Sequence, residues 1–167
     1  AYGDSLVAVK LLDTGLSPEM NQMLTREVHA LASLTHPHIV TVLDFDHVHE
    51  SEATDSLSAG QPYVVFEYAS RGALDEYLSK NPTLSWPWVR HLLFALLDGL
   101  AHAHARNVIH RDLKPANIIG FESPKTWKIT DFGLAFLGGE QAKEHRIYGT
   151  PQYMAPEQFQ GDGYLYA

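Results

Sequence analysis

The chain has 167 residues, 45% hydrophobic and 19% charged, the balance of a globular domain with a core of its own. A formal net charge of −8 argues against nucleic acid as the main partner, and the absence of cysteine excludes disulfide frameworks and thiolate metal sites. No apolar run reaches the roughly 20 residues that span a bilayer, and Ala1-Tyr2-Gly3 shows neither an initiator Met nor a signal peptide, so the chain is expected to be a piece of something longer.

Leu6–Leu12 alternates as a strand, with Val7, Val9 and Leu11 on one face and Leu6, Ala8, Lys10 and Leu12 on the other. A lysine in so apolar a strand needs an anionic partner. Ser17-Pro18-Glu19 is a helix start, with a capping Ser, Pro in the first turn and an early acid. The helix should run to about Leu34, with Met20, Met23, Leu24, Leu31 and Leu34 on one stripe and Glu27 on the same stripe. A carboxylate facing a core is costly unless paired. Position alone leaves Glu27 open between a paired residue and a solvated edge residue.

A second strand follows at about Ile39–His47, then Val48–Gln61, polar and acidic, as a long hairpin loop with no chemistry in it. Pro62–Tyr68 reads as the next strand and Gly72–Ser79 as a short helix. Ser85 should cap a long helix to about Arg106, with Val89, Leu92, Leu93, Leu96, Leu97 and Leu100 as a core stripe and Trp86 and Trp88 as packing residues. His102 and His104 suggest a metal site, but residues two apart on a helix do not share a face. Asn117–Phe121 and Trp127–Thr130, joined by a turn at Glu122–Lys125, read as a hairpin that brings Asn117 and Asp131 to one end.

The chemistry gathers at that end. Asp112 can orient a hydroxyl and take its proton, Lys114 puts a cation beside it, and Asn117 and Asp131 offer oxygen ligands for a hard cation such as Mg²⁺. Asp, Lys, Asn and Asp around one point suit a metal-bound polyphosphate beside an alcohol nucleophile, a reaction that needs positioning and charge neutralisation above all.

His110-Arg111-Asp112-Leu113-Lys114-Pro115-Ala116-Asn117, then Asp131-Phe132-Gly133, then Gly149-Thr150-Pro151-Gln152-Tyr153-Met154-Ala155-Pro156-Glu157 resemble the catalytic loop, magnesium loop and activation-segment end of eukaryotic-type (Hanks-type) protein kinases. Lys114 resembles the serine/threonine branch, and the wording its bacterial members. The resemblance implies an α+β, bilobal fold truncated at both ends: a partial β-rich lobe over 1–69 without its Gly-rich loop, and a partial helical lobe over 70–167 without its later helices. It implies a serine/threonine protein kinase that moves the γ-phosphoryl group of Mg-ATP, with Mn²⁺ as an alternative ion, to Ser/Thr hydroxyls of proteins in the cytoplasm. The parent protein could still carry a membrane anchor.

The resemblance also assigns roles. Asp112 orients and accepts from the nucleophile. Lys114 lies on the γ-phosphate, and Lys10 on the α- and β-phosphates. Glu27 pairs with Lys10, and Asn117 and Asp131 hold the metal. Thr150 supports Asp112 and Lys114. Phe66 backs the adenine, backbone groups of Glu67 and Ala69 bond its edge, and Ala8 and Ile119, otherwise plain core residues, enclose it. His110 packs under Phe132, in a stack with Leu31 and Val42.

Arg111 before the catalytic Asp resembles kinases ordered by a phosphorylated loop residue, yet between Gly133 and Gly149 the only hydroxyl is Tyr148, and Arg146 stands where relatives often carry the phosphosite. The expectation is a permanent anion from Glu140 or Glu144. Glu157 and the catalytic loop would have their supports in helices beyond Ala167, so this piece alone could lack activity. Two rivals stand beside the kinase reading: a pseudokinase scaffold, against which Lys10, Asp112 and Asp131 are all intact, and a small-molecule kinase, against which stands the peptide platform of Gly149–Glu157.

Overall fold

Two small antiparallel sheets frame the molecule, and the segment between the first helix and the second strand ties them together. The computed structural model describes residues 6–13, 17–123, 125–132 and 150–156. Strands β1 (Val7–Leu11), β2 (Val42–His47) and β3 (Pro62–Glu67) form one sheet in the order β1-β3-β2; β4 (Ile118–Glu122) and β5 (Lys125–Ile129) form a hairpin. Helices α1 (Pro18–Ala32), α2 (Leu74–Lys80) and α3 (Trp86–His104) complete the elements, with short 3₁₀ turns at Glu50–Glu52, Pro115–Asn117 and Pro151–Tyr153.

Ser17 caps α1 as expected, its hydroxyl accepting from Met20 N. The helix ends at Ala32, two residues early, where Ser33 turns its N–H back to the His29 and Ala30 carbonyls. Leu24, Val28 and Leu31 form the buried stripe, while Met23 is exposed. The second strand starts at Val42 rather than Ile39 because the preceding residues are used elsewhere. Ile39 bridges Ile129, Val40 N donates to the Ile129 carbonyl at 2.9 Å, and Ile129 N donates to the His38 carbonyl at 2.9 Å. The loop after β2 has structure of its own: His49 and Glu52 cap its 3₁₀ turn reciprocally, and Thr54 bridges Leu57.

The expected hairpin is present with shifted strand bounds and a tighter turn: Ile118 stands opposite Ile129, and Glu122 and Lys125, expected in the turn, pair with each other at the strand ends. One buried cluster runs through both sheets, from Leu24 and Val28 through Val64 and Phe66 to Ile129 and Phe132; a smaller one joins Leu74, Ile118 and Trp127. Helix α3 corrects the sequence reading. Its buried face is Ala95, Gly99 and Ala103, while Leu93, Phe94 and Leu97 are exposed, and Leu92, Leu96 and Leu100 pack at the edges of the clusters. The reason is distance: a Cβ on Gly99 would stand 3.1 Å from the His38 carbonyl and 3.4 Å from Ile129 Cδ1, so only small residues fit there. Trp88 packs as expected, stacked on Tyr77 and edge-on to Trp127, but Trp86 is 68% exposed.

Candidate active site

Helix α3 closes with Val108 N donating to the Ala103 carbonyl, and the chain then runs through Asn107 and Arg111, both at left-handed φ (59° and 66°), into Asp112. Strained backbone of this kind persists only where the surroundings fix it. The His110 side chain fixes this loop. His110 is buried, its Nε2 donating to the Thr130 carbonyl at 2.8 Å and its Nδ1 accepting from Asp112 N at 3.3 Å. One ring nitrogen donates and the other accepts, which is the neutral imidazole, and burial accordingly pushes its pKa down against the opposing pull of Thr130, Asp112 and Asp131. Its ring lies 4.8 Å from that of Phe132, and Phe132 lines one cavity with Leu31 and Val42, the stack the resemblance implied.

The Asp112 carboxylate is the centre of the site. Its Oδ1 accepts from Thr150 N at 2.9 Å and Thr150 Oγ1 at 2.8 Å, and its Oδ2 pairs with Lys114 Nζ at 2.7 Å. Lys114 Nζ also donates to Thr150 Oγ1 at 2.7 Å, closing a triangle. Asn117, buried, donates from Nδ2 to the Asp112 backbone carbonyl at 2.8 Å and to Oδ2 at 3.3 Å. Burial pushes the Asp112 pKa up, but the hydrogen bonds from Lys114 and Thr150 and the Lys114 charge outweigh it and hold the carboxyl below its usual range. Asp112, Lys114, Asn117 and Thr150 therefore meet in one place, as expected.

Asp131 arrives from the other side. Thr130 N donates to the Asn117 carbonyl at 2.9 Å, so the end of the hairpin carries Asn117 and Asp131 together, with Asp131 at φ 60°. Here one expectation fails. Lys10 Nζ pairs with Asp131 Oδ1 at 2.7 Å, not with Glu27. Glu27 lies 3.9 Å from the Arg111 guanidinium instead, and burial pushes its pKa up while Arg111 opposes the shift. A lysine has one charge to place, and Asp131 takes it at hydrogen-bond distance. Glu27 is left half-buried with a loosely placed cation.

The remaining residues divide. Ala8 sits opposite Phe66 in the β1–β3 register but is exposed, so the plain core reading of Ala8 does not hold; Phe66 is buried. Ala69 and Ile119 are partly buried against the main core. Sequence reasoning missed Lys128. It is buried on β5, with Nζ 2.6 and 2.8 Å from the two Glu67 carboxylate oxygens, and the argument already applied to Lys10, a lysine in an apolar strand, would have found it. Gly133, Glu140, Glu144, Arg146, Tyr148, Gly149 and Glu157 lie outside the described residues.

Oxygen ligands from one amide and one carboxylate fit Mg²⁺, which takes few protein ligands and completes its shell with water and substrate phosphates. Among the described residues, no group of three or more His, Asp or Glu residues is arranged to hold a metal on its own, and none of the helices is long and apolar enough to cross a membrane.

A profile described as the protein kinase domain matches residues 2–167. The chain is 36% identical over 162 residues to CBL-interacting protein kinase 17 of Oryza sativa, covering 94% of this chain and 33% of that protein. It is 33% identical over 163 residues to the probable serine/threonine-protein kinase PknB of Lactococcus lactis, covering 95% of this chain and 24% of that protein. The crystal structure of the Mycobacterium tuberculosis PknI kinase domain superposes with a TM-score of 0.60 at 26% identity, over 77% of this chain and 49% of that one. The chain thus spans about a third or less of the length of these curated relatives.

Proposed function

The chain belongs to the protein kinase domain family, and from that premise we propose that its site transfers the γ-phosphoryl group of ATP to a Ser or Thr hydroxyl of a protein, in the cytoplasm. The family generally uses ATP and Mg²⁺. The fold is the protein-kinase fold in part, a small sheet and its helix followed by a hairpin and helices, with the lobes divided near Ala69–Gly72.

In this reading the substrate hydroxyl attacks the γ-phosphorus, a new P–O bond forms, the bond to the bridging oxygen breaks, and ADP leaves. Asp112 accepts the hydroxyl proton, and its low pKa keeps it ionised and ready. Lys114 lies against Asp112 and carries the positive charge that meets the transferring group. Thr150 holds both. Asn117 and Asp131 would hold Mg²⁺, whose chemistry there is to neutralise phosphate charge. Lys10 would serve the α- and β-phosphates beside Asp131. Ala8, exposed beside Phe66, suits the wall of an adenine pocket better than a core, with Ile119 opposite and the Glu67 and Ala69 backbone at its edge.

The observation that carries the proposal is the closed triangle of Asp112, Lys114 and Thr150. It couples the proton acceptor, the phosphate-facing cation and the start of the Thr150–Met154 segment, a peptide-facing platform. The test is transfer from γ-labelled ATP by the full-length protein to a generic protein substrate, followed by phosphoamino-acid analysis. Label on Ser and Thr that disappears in Asp131→Asn supports it. Nucleotide binding with no transfer would favour the scaffold reading.

A further inference from the structure

His110, Asn117 and Lys128 are the buried polar side chains among the described residues, and only Lys128 has no part in the chemistry above. Taking an ammonium out of water is expensive, and an apolar side chain of similar volume would fill the place without that cost. Its surroundings show what the charge is for. Glu67, the last residue of β3, receives Lys128 Nζ on both carboxylate oxygens, at 2.6 and 2.8 Å. The same Oε1 accepts from Thr41 N at 2.7 Å, and Glu67 N donates back to the Thr41 carbonyl at 3.2 Å. The Lys128 ammonium also stands 4.6 Å from the centre of the Phe121 ring on β4.

Three separate stretches of chain therefore end on one ion pair: the edge of the adenine pocket at Glu67, the 38–41 connection that leaves α1, and β5. Residue 128 is three positions before Asp131, and between them Ile129 is pinned on both sides, its N–H to the His38 carbonyl and its own carbonyl to Val40 N. We propose that Lys128 and Glu67 are positioning residues that couple the nucleotide-facing end of β3 to the segment carrying Asp131, so that the two ends of a bound Mg-ATP are set by one rigid junction. Stability alone does not need such a pair; a fixed register between two sheets does.

The test has two readouts, and the first does not depend on the kinase reading. Amide hydrogen exchange in the full-length protein compares wild type with Lys128→Met, Lys128→Arg and the double variant Glu67→Gln/Lys128→Met. Lys128→Met should speed exchange about tenfold in residues 38–41 and 129–132 together, and Lys128→Arg should restore protection. Loss confined to β5, or spread evenly over the chain, would overturn the coupling. The second readout, which rests on the proposed function, is Mg-ATP affinity. Lys128→Met should weaken it about tenfold, and the double variant should be no worse than the single one, because the charge left unpaired has gone too. Unchanged affinity in a folded Lys128→Met, in a protein whose wild type binds Mg-ATP, would overturn the inference and leave the function standing. A wild type that binds no Mg-ATP overturns the function, and the exchange data still decide the coupling.

Discussion

Asp112 collects more hydrogen bonds than any other side chain in the site, and each has a separable effect. Thr150 donates through both its N–H and its hydroxyl. Thr150→Val removes only the hydroxyl, hence one of the influences that lower the Asp112 pKa. A base must be ionised to act, so the acid limb of kcat/KM against pH should move to higher pH, with kcat down about tenfold; Thr150→Ser should restore the wild-type profile. An unshifted acid limb would separate Thr150 from the base. At Glu27 the sign runs the other way. Its folded pKa is raised above the ordinary 4.5, so the folded state holds the proton more tightly, and the stability this contributes is lost as pH rises from about 4.5 through the folded pKa. Glu27→Gln at neutral pH should therefore keep or raise Tm, by about 1–2 °C after allowance for solvent screening. A lowered Tm would contradict the desolvation account. Asp112, Lys114, Asn117 and Asp131 were legible in the sequence because their types and spacing are dictated by the chemistry. The partner of Glu27 was not, because it depends on how α1 is rotated over β1, which no local pattern encodes.

The β4–β5 hairpin shows what an element can and cannot reveal in advance. Its two apolar runs and the turn between them were plain, while the strand bounds and register came only from the structure. Less visible was the closeness of its neighbours. A Cβ on Gly120 would lie 2.9 Å from Arg71 Cβ and 3.1 Å from Trp127 Cζ3, with Arg71 held by Glu122 at 2.9 Å and stacked near Trp127. Gly120→Val should thus cost about 1–3 kcal/mol by forcing these groups apart, read as a lower midpoint in urea at unchanged m-value. A midpoint equal to wild type would mean that the hairpin yields easily. Helix α3 is the counterexample. Its leucines were read as one core stripe, yet Ala95, Gly99 and Ala103 face inward because β5 and His38 leave room only for small residues. Hydrophobicity shows which residues resist water, and close packing decides which of them fit.

Across the whole molecule, one buried cluster joins the small sheet to the hairpin and α3, so the site rests on a continuous core. The chain order of strands and helices was readable, but the strand order β1-β3-β2 was not, because α1 intervenes between β1 and β2 and carries the chain past the central position; the link through His38–Val40 was hidden because those residues pair with β5 rather than extend β2. The buried histidine sets a pH limit on this core. The His110 pKa is pushed below the ordinary 6.5, mainly by burial, and the His102 pKa is lowered as well, by burial and then by Arg106 and His36. The unfolded chain then binds protons first on acidification, so stability present above about pH 6.5 is lost as pH falls through and below that value. Tm should fall over pH 6.5 to 5, and more gently in His110→Phe, with circular dichroism melts as the measurement; an equal slope in both would remove His110 from the account. The most direct test of the central claim lies at Asp112. In full-length Asp112→Asn, kcat for γ-phosphoryl transfer should fall at least a hundredfold while Mg-ATP affinity stays within about threefold of wild type. Transfer at near wild-type rate in that variant would contradict the assignment of Asp112 as the group that takes the proton.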